Sequence, residues 1–236
     1  MDEPIKQELV ECLAAFVSTH KKQRIEQVLE ARTRYLTVVL EDVFQPHNAS
    51  AVLRSCECFG VQDVYVIEDR NAYTVNADVD QGASKWLDLA RYGAAQGGAP
   101  ACFAALKDRG YRLVAATPHR DESRLDDLDV EEPLAILLGT EEQGLSDHAL
   151  EAADSYLRVP MYGFTESFNI SVCAALILRE LTGRMRRASV AWELSEAEKR
   201  DLRLRWYRKI VRGSALIEER FLSARNSAQG SAGKNR

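Results

Sequence analysis

Four short apolar runs between residues 37 and 138 constrain the fold more than anything else in the chain. Residues 37–40 (TVVL), 64–67 (VYVI), 111–116 (YRLVAA) and 133–138 (PLAILL) are continuously rather than alternately hydrophobic. Such strands are buried on both faces, as in a parallel sheet between two layers of helices. The intervening stretches agree. Residues 46–60 open on Pro46, carry Val52, Leu53, Cys56 and Phe59 at helical spacing and close on Gly60, which are helix start and stop signals. Residues 101–108 form a second helical stretch, closed by Arg109-Gly110, and 147–153 a third. The β-α-β alternation predicts an α/β fold with a parallel sheet flanked by helices. A turn at 81–84 leads into a further short strand at 85–89.

Two segments of this frame end in loops with chemical character. The run 133–138 enters Gly139-Thr140-Glu141-Glu142-Gln143-Gly144. The glycine spacing is that of a phosphate loop, but no lysine follows the second glycine and two glutamates would repel phosphate, so a Walker loop is excluded. No GxGxxG follows the first strand, which argues against a dinucleotide site. Farther on, 157–161 reads as a strand ended by Pro160, 162–169 as a polar loop, and 170–178 as a helix apolar almost all round and hence buried. Ser167 or Asn169 is placed to cap that helix, whose free N–H groups, with Ser171, could meet a polar ligand. Asn48 lies in the turn before the 46–60 helix and Arg54 in its second turn; both can face a site beyond the strand ends, where open α/β sheets bind ligands.

At 236 residues the chain is long enough for one domain with extensions. Its net charge of −5 argues against a generic nucleic-acid binder, but the charge is unevenly spread. Residues 183–236 hold 14 Lys+Arg and 6 Asp+Glu, a balance of +8, and the rest hold 17 and 30, a balance of −13. That asymmetry suggests an appendage for an anionic partner. Arg203, Arg205, Arg208 and Lys209 are the candidate RNA-binding cations on a helix expected over 195–222, with Trp206, Tyr207, Ile210 and Leu216 as its apolar contacts. Residues 5–32 read as one or two helices packed on the main domain, with a cationic cluster at Lys21, Lys22, Arg24, Arg32 and Arg34. Residues 223–236 are Ser/Gly/Ala/Asn-rich and basic, and are expected to be disordered. The opening Met1-Asp2-Glu3-Pro4 lacks the features of a signal peptide, no apolar run reaches membrane-spanning length, and the five cysteines show no CxxC pair. A reducing, cytoplasmic setting without membrane or metal partners is the expectation.

Three segments, PHNASAVLRSCECFGV, ILLGTEEQGLS and VPMYGFTESFNISVCAALIL, together resemble in order and spacing the three motifs of the SpoU/TrmH branch of the SPOUT methyltransferases. The similarity extends from about Thr33 to Arg187. It implies a C-terminal deep trefoil knot, S-adenosylmethionine as cofactor, and a homodimer with its sites at the subunit interface. Carried over by motif, the catalytic candidates are Asn48 and Arg54 from the first, Glu141 from the second, and Ser167 and Asn169 from the third. Arg54 also becomes an RNA contact. Thr117, Gly139, Val159 and Phe168 become the lining of the adenosyl pocket. The implied activity is 2′-O-methylation of a ribose in tRNA, the short extensions favouring tRNA over the alternative, ribosomal RNA. A non-catalytic RNA-binding relative is the alternative from another class. The expected layout is an N-terminal helical extension over 1–34, the knotted domain over 35–187, a basic helical extension over 188–222 and a tail over 223–236.

Overall fold

The computed structural model describes residues 1–43, 45–71, 74, 76–118 and 124–232, with side chains as far as Asn226. The described residues form two compact units, 1–32 with 194–232, and 33–193.

The larger unit holds a parallel sheet of six strands: β1 (Leu36–Glu41), β2 (Asp63–Glu68), β3 (Asp88–Gly93), β4 (Arg112–Ala116), β5 (Leu134–Leu138) and β6 (Ser155–Leu157). Their order is β3-β2-β1-β5-β4-β6. The chain moves outward from β1 to β3, then crosses to β4 and returns to place β5 beside β1, so the direction of progress reverses between β1 and β5. Crevices at such reversals, outside the carboxyl ends of the strands, are where open α/β sheets bind ligands.

The continuous hydrophobicity of the strands is explained by a core on each face. Val38, Leu40, Val64, Val66, Val114 and Ile136 point to one side, against α3 (Pro46–Phe59) and α7 (Ile170–Arg187). Val39, Tyr65, Ile67, Leu113, Ala115 and Leu137 point to the other, where α5 (Gly98–Asp108) packs with Cys102, Phe103 and Leu106 and α6 (Asp147–Ala152) with Ala149. The short α4 (Ala77–Asp80) follows β2, and Ala83–Trp86 turn the chain into β3. Burial pushes the Cys102 thiol up to about 12, so it stays protonated and packs as a small apolar group.

At the opposite, amino end of the sheet Asp63 holds two arginines. Its carboxylate accepts from Arg34 Nε at 3.0 Å and from Arg109 Nη2 at 2.8 Å, and Arg34 reaches on to Asp88 at 2.7 Å. The Asp63 side chain is 8% exposed. Without Asp63, Arg34 keeps Asp88 and Arg109 turns to solvent, so the loss is that of charge-assisted hydrogen bonds from a shielded carboxylate. Asp63→Ala should therefore lower stability by about 1–3 kcal/mol, read as a lower denaturant midpoint at unchanged slope. A midpoint equal to the parent's would show that solvent compensates both arginines.

Several elements differ from expectation. The last strand is Ser155–Leu157 rather than 157–161, because its partner β4 ends at Ala116, opposite Leu157. Helix α7 runs to Arg187 and is not buried all round: Val172 and Leu176 are 46% and 40% exposed. Asn48 belongs to the first turn of α3, which begins at Pro46, rather than to the preceding turn.

In the smaller unit α1 (Glu3–Ala14) and α2 (Thr19–Ala31) cluster with α8 (Glu196–Ile210) and α9 (Ser214–Ala232). The two extensions of the chain are thus one body. The single helix expected over 195–222 is two, broken at Gly213 with φ of 72°, a backbone state that favours glycine. Helix α9 continues to Ala232 where a disordered tail was expected from Ser223; residues 233–236 lie outside the described part. Trp206 and Tyr207 are core residues, each 2% exposed, whereas Leu216 is exposed. No described helix is long and apolar enough to cross a membrane.

Candidate active site

Three elements deliver polar side chains to the carboxyl end of β1 and β5. Helix α3 starts after β1 and brings Asn48, the loop after β5 brings Glu141, and the start of α7 brings Asn169. Asn48 Nδ2 donates to Glu141 Oε2 at 2.8 Å and to Gln45 Oε1 at 2.9 Å. Asn169 Nδ2 donates to Glu141 Oε1 at 2.5 Å and to Asn48 Oδ1 at 3.1 Å. The remaining Asn169 oxygen caps α7, accepting from Ser171 N at 2.9 Å and Ser171 Oγ at 2.6 Å. Every amide orientation in this ring follows from its partners, since a carboxylate only accepts and each NH₂ only donates. The cap is Asn169, not Ser167.

The loop carrying Glu141 is tightly closed. Thr140 and Gly144 exchange backbone hydrogen bonds of 2.9 and 3.0 Å. A Cβ at Gly139 would stand 2.1 Å from the Gly144 carbonyl oxygen, so only glycine permits that closure. The loop is also tied to β1 by Glu41, a buried carboxylate that accepts from Ser146 N at 2.8 Å and Ser146 Oγ at 2.7 Å. Sequence reading passes over Glu41; its signal is an acidic residue ending an otherwise apolar strand.

Thr117, Gly139, Val159 and Phe168 line one cavity of about 280 Å³, and Glu141 and Ser167 also face it. Cys173 lies on its wall with its thiol pushed up to about 11 by burial, which makes it a packing group rather than a nucleophile. Ser167 itself is exposed.

Arg54 stands apart. It is exposed on α3, has no hydrogen-bonding or ionic partner among the described residues, and lines neither cavity at the ring. The candidate RNA cations of α8 also divide. Arg203 is forked onto Glu26 and Arg208 onto Glu218, so both guanidinium groups are committed inside their own unit. Arg205 is half-buried and Lys209 exposed.

The model of the SpoU rRNA Methylase family matches residues 35–179. The chain belongs to this family. It is 46% identical over 208 residues to the tRNA (guanosine(18)-2'-O)-methyltransferase of Borreliella burgdorferi, covering 87% of this chain and 93% of that one. It is 36% identical over 160 residues to the enzyme of the same name from Thermus thermophilus, covering 68% and 80%. Among solved structures, the A. aeolicus TrmH/SpoU tRNA modifying enzyme superposes with a TM-score of 0.71 at 28% identity, over 81% of this chain and 97% of that one. The family match spans the sheet and most of α7, including the whole Asn48–Glu141–Asn169 ring.

Proposed function

We propose that this member of the SpoU methylase family transfers a methyl group from S-adenosylmethionine to the ribose 2′-oxygen of guanosine 18 in tRNA. The observation that carries the reading is the hydrogen-bonded ring of Asn48, Glu141 and Asn169 beside a cavity, in a chain 46% identical over 87% of its length to a protein named for that reaction. The family description names rRNA, but the relatives that the chain matches over most of their length are named for tRNA, which favours tRNA. Incubation with labelled S-adenosylmethionine and total tRNA or ribosomal RNA, with mapping of the methylated nucleotide, tests it. Label confined to ribosomal RNA, or no label, would overturn the tRNA reading.

The cavity fits an adenosyl group. Leu138, Leu157, Val159 and Phe168 supply apolar faces for a purine, Gly139 leaves backbone bare, and Thr117 adds a hydroxyl. When bound, S-adenosylmethionine supplies an electrophilic methyl carbon. The chain must then hold a 2′-hydroxyl in line and manage its proton. Arginine is permanently cationic, so Arg54 clamps an RNA phosphate and stabilises the developing alkoxide, while the 2′-hydroxyl proton passes to that phosphate or to water as the oxygen takes the methyl group from sulfur. Asn48 and Glu141 fix the Asn169 amide, and Ser167 and Asn169 hold the loop against the ribose. The smaller unit, with 16 Lys+Arg against 11 Asp+Glu, captures the RNA.

The chain acts as a homodimer in this reading. Val172 and Leu176 lie four residues apart on one side of α7 and are exposed, as are Phe164 and Phe168. An exposed apolar face of this kind marks an interface. A site shared across it also accounts for an Arg54 that meets none of the ring residues of its own chain. Leu176→Arg should give a monomer by light scattering, with methylation lost; a dimeric, active variant would take α7 out of the interface. The knot implied by the family resemblance is supported by the way both arms of the loop leaving β4 bind one segment: Thr117 N donates to Leu157 O and Leu125 N to Arg158 O, each at 3.0 Å. All five cysteines are free thiols, which suits a cytoplasmic enzyme.

A further inference from the structure

A second cavity, of about 350 Å³, adjoins the first at the Glu141 loop. Residues 140–143 and Ile170 line both. Asn48 faces only the second, whose volume falls within the ~300–1,000 Å³ usual for small-molecule sites. Two substrates that exchange a group must come into direct contact, and the Asn48–Glu141 pair stands where the two cavities adjoin.

The second cavity is built, not incidental. Asp42, at the end of β1, takes a left-handed backbone with φ of 52°. Its carboxylate accepts from Arg70 N at 2.8 Å and Asn71 N at 3.2 Å, and Asn71 Nδ2 donates to the Asp42 carbonyl at 3.1 Å. These bonds pin the segment bearing Arg70 to the rim. Arg70 Nη1 donates to Gln143 Oε1 at 2.8 Å, which holds the guanidinium against the opposite wall. Glu142 faces the same space and has no polar partner among the described residues. A cationic fork and a free carboxylate thus border one cavity.

We propose that this second cavity receives the base of the target nucleotide and that Glu142 and Arg70 distinguish guanine from adenine there. The proposal rests on the methyltransferase reading and adds the residues that read the base. Guanine presents O6, an acceptor, beside N1–H, a donor. The Arg70 guanidinium donates to O6 and the Glu142 carboxylate accepts from N1–H. Adenine inverts both groups: its N6 amine faces the guanidinium and its bare N1 faces the carboxylate. Each reversed contact leaves a polar group of the site unpaired.

The test uses the full chain and tRNA transcripts with guanosine or adenosine at the target position, comparing kcat/KM for the parent, Glu142→Gln and Arg70→Ala. The parent should prefer guanosine by roughly tenfold to a hundredfold, the discrimination expected of a paired base edge. Glu142→Gln should lose most of that preference, since an amide can offer either a donor or an acceptor. Arg70→Ala should fall on guanosine and change little on adenosine. Arg70 lies outside the first cavity, so calorimetric affinity for S-adenosylmethionine should be retained in that variant. A parent that methylates guanosine but accepts adenosine equally, or variants that keep the parent's ratio, would overturn the base-reading proposal and leave the methyltransferase reading standing. A parent that methylates neither transcript would overturn both.

Discussion

Arg54→Ala is expected to lower the single-turnover rate of methylation a hundredfold or more while leaving the melting temperature and the affinity for S-adenosylmethionine near the parent's. The two halves of that expectation have separate origins. Arg54 is exposed on α3 with no polar partner among the described residues, so its removal breaks nothing in the fold. It lines neither cavity, so the adenosyl site is untouched. If Arg54 were an ordinary surface cation, its loss would cost at most about 1 kcal/mol and spare activity. As clamp and oxyanion partner it is worth on the order of 3 kcal/mol in the transition state. Lysine should rescue poorly, because a point charge does not reproduce a planar fork. Single-turnover assays at saturating enzyme separate the chemical step from RNA affinity. An alanine variant within a few-fold of the parent would remove Arg54 from the mechanism.

The second large effect is expected at Glu141. Its carboxylate accepts from Asn48 Nδ2, Asn169 Nδ2 and, at 3.4 Å, Ile170 N. Glutamine offers one oxygen and one NH₂, so in Glu141→Gln one asparagine amide must face another donor. That asparagine turns away and the ring opens. Charge-assisted hydrogen bonds of this kind contribute roughly 1.5–3 kcal/mol each, which puts the fall in turnover at roughly tenfold to a hundredfold. Glu141 is exposed in the single chain, so water can replace much of the lost bonding and thermal stability should shift little. The joint measurement is single-turnover rate and melting temperature. A variant that melts like the parent and turns over within a few-fold of it would show that the ring does not position the reaction.

The strands and their burial were legible because residues 37–40, 64–67, 111–116 and 133–138 are apolar on both faces, and a parallel sheet is the arrangement that covers both. The strand order was not, because placing β5 between β1 and β4 is decided by packing between distant segments. Asn48, Glu141 and Asn169 could each be picked out by motif, but that they bond to one another across 93 and 121 residues of chain is visible only in three dimensions. Gly213 was readable as a helix break and was overlooked within a strongly basic helical run. Trp206 and Tyr207 read as apolar contacts of a basic helix and both are buried, whereas Leu216, read the same way, is exposed; an apolar residue in such a run can face either the core or solvent, and only the partner helices settle which. The fate of Arg203 was hidden for the same reason, since Glu26 lies 177 residues away.

Asn169 divides one amide between two tasks: its oxygen closes the first turn of α7 and its nitrogen binds the ring. A capping side chain of this type is worth about 1 kcal/mol to the helix it begins, so folding alone retains Asn169 whether or not the site still works. Arg54 has no such second employment. If Arg54 has the clamping role proposed for it, a lineage that stopped methylating would lose the arginine before the asparagine, because only the asparagine also closes a helix.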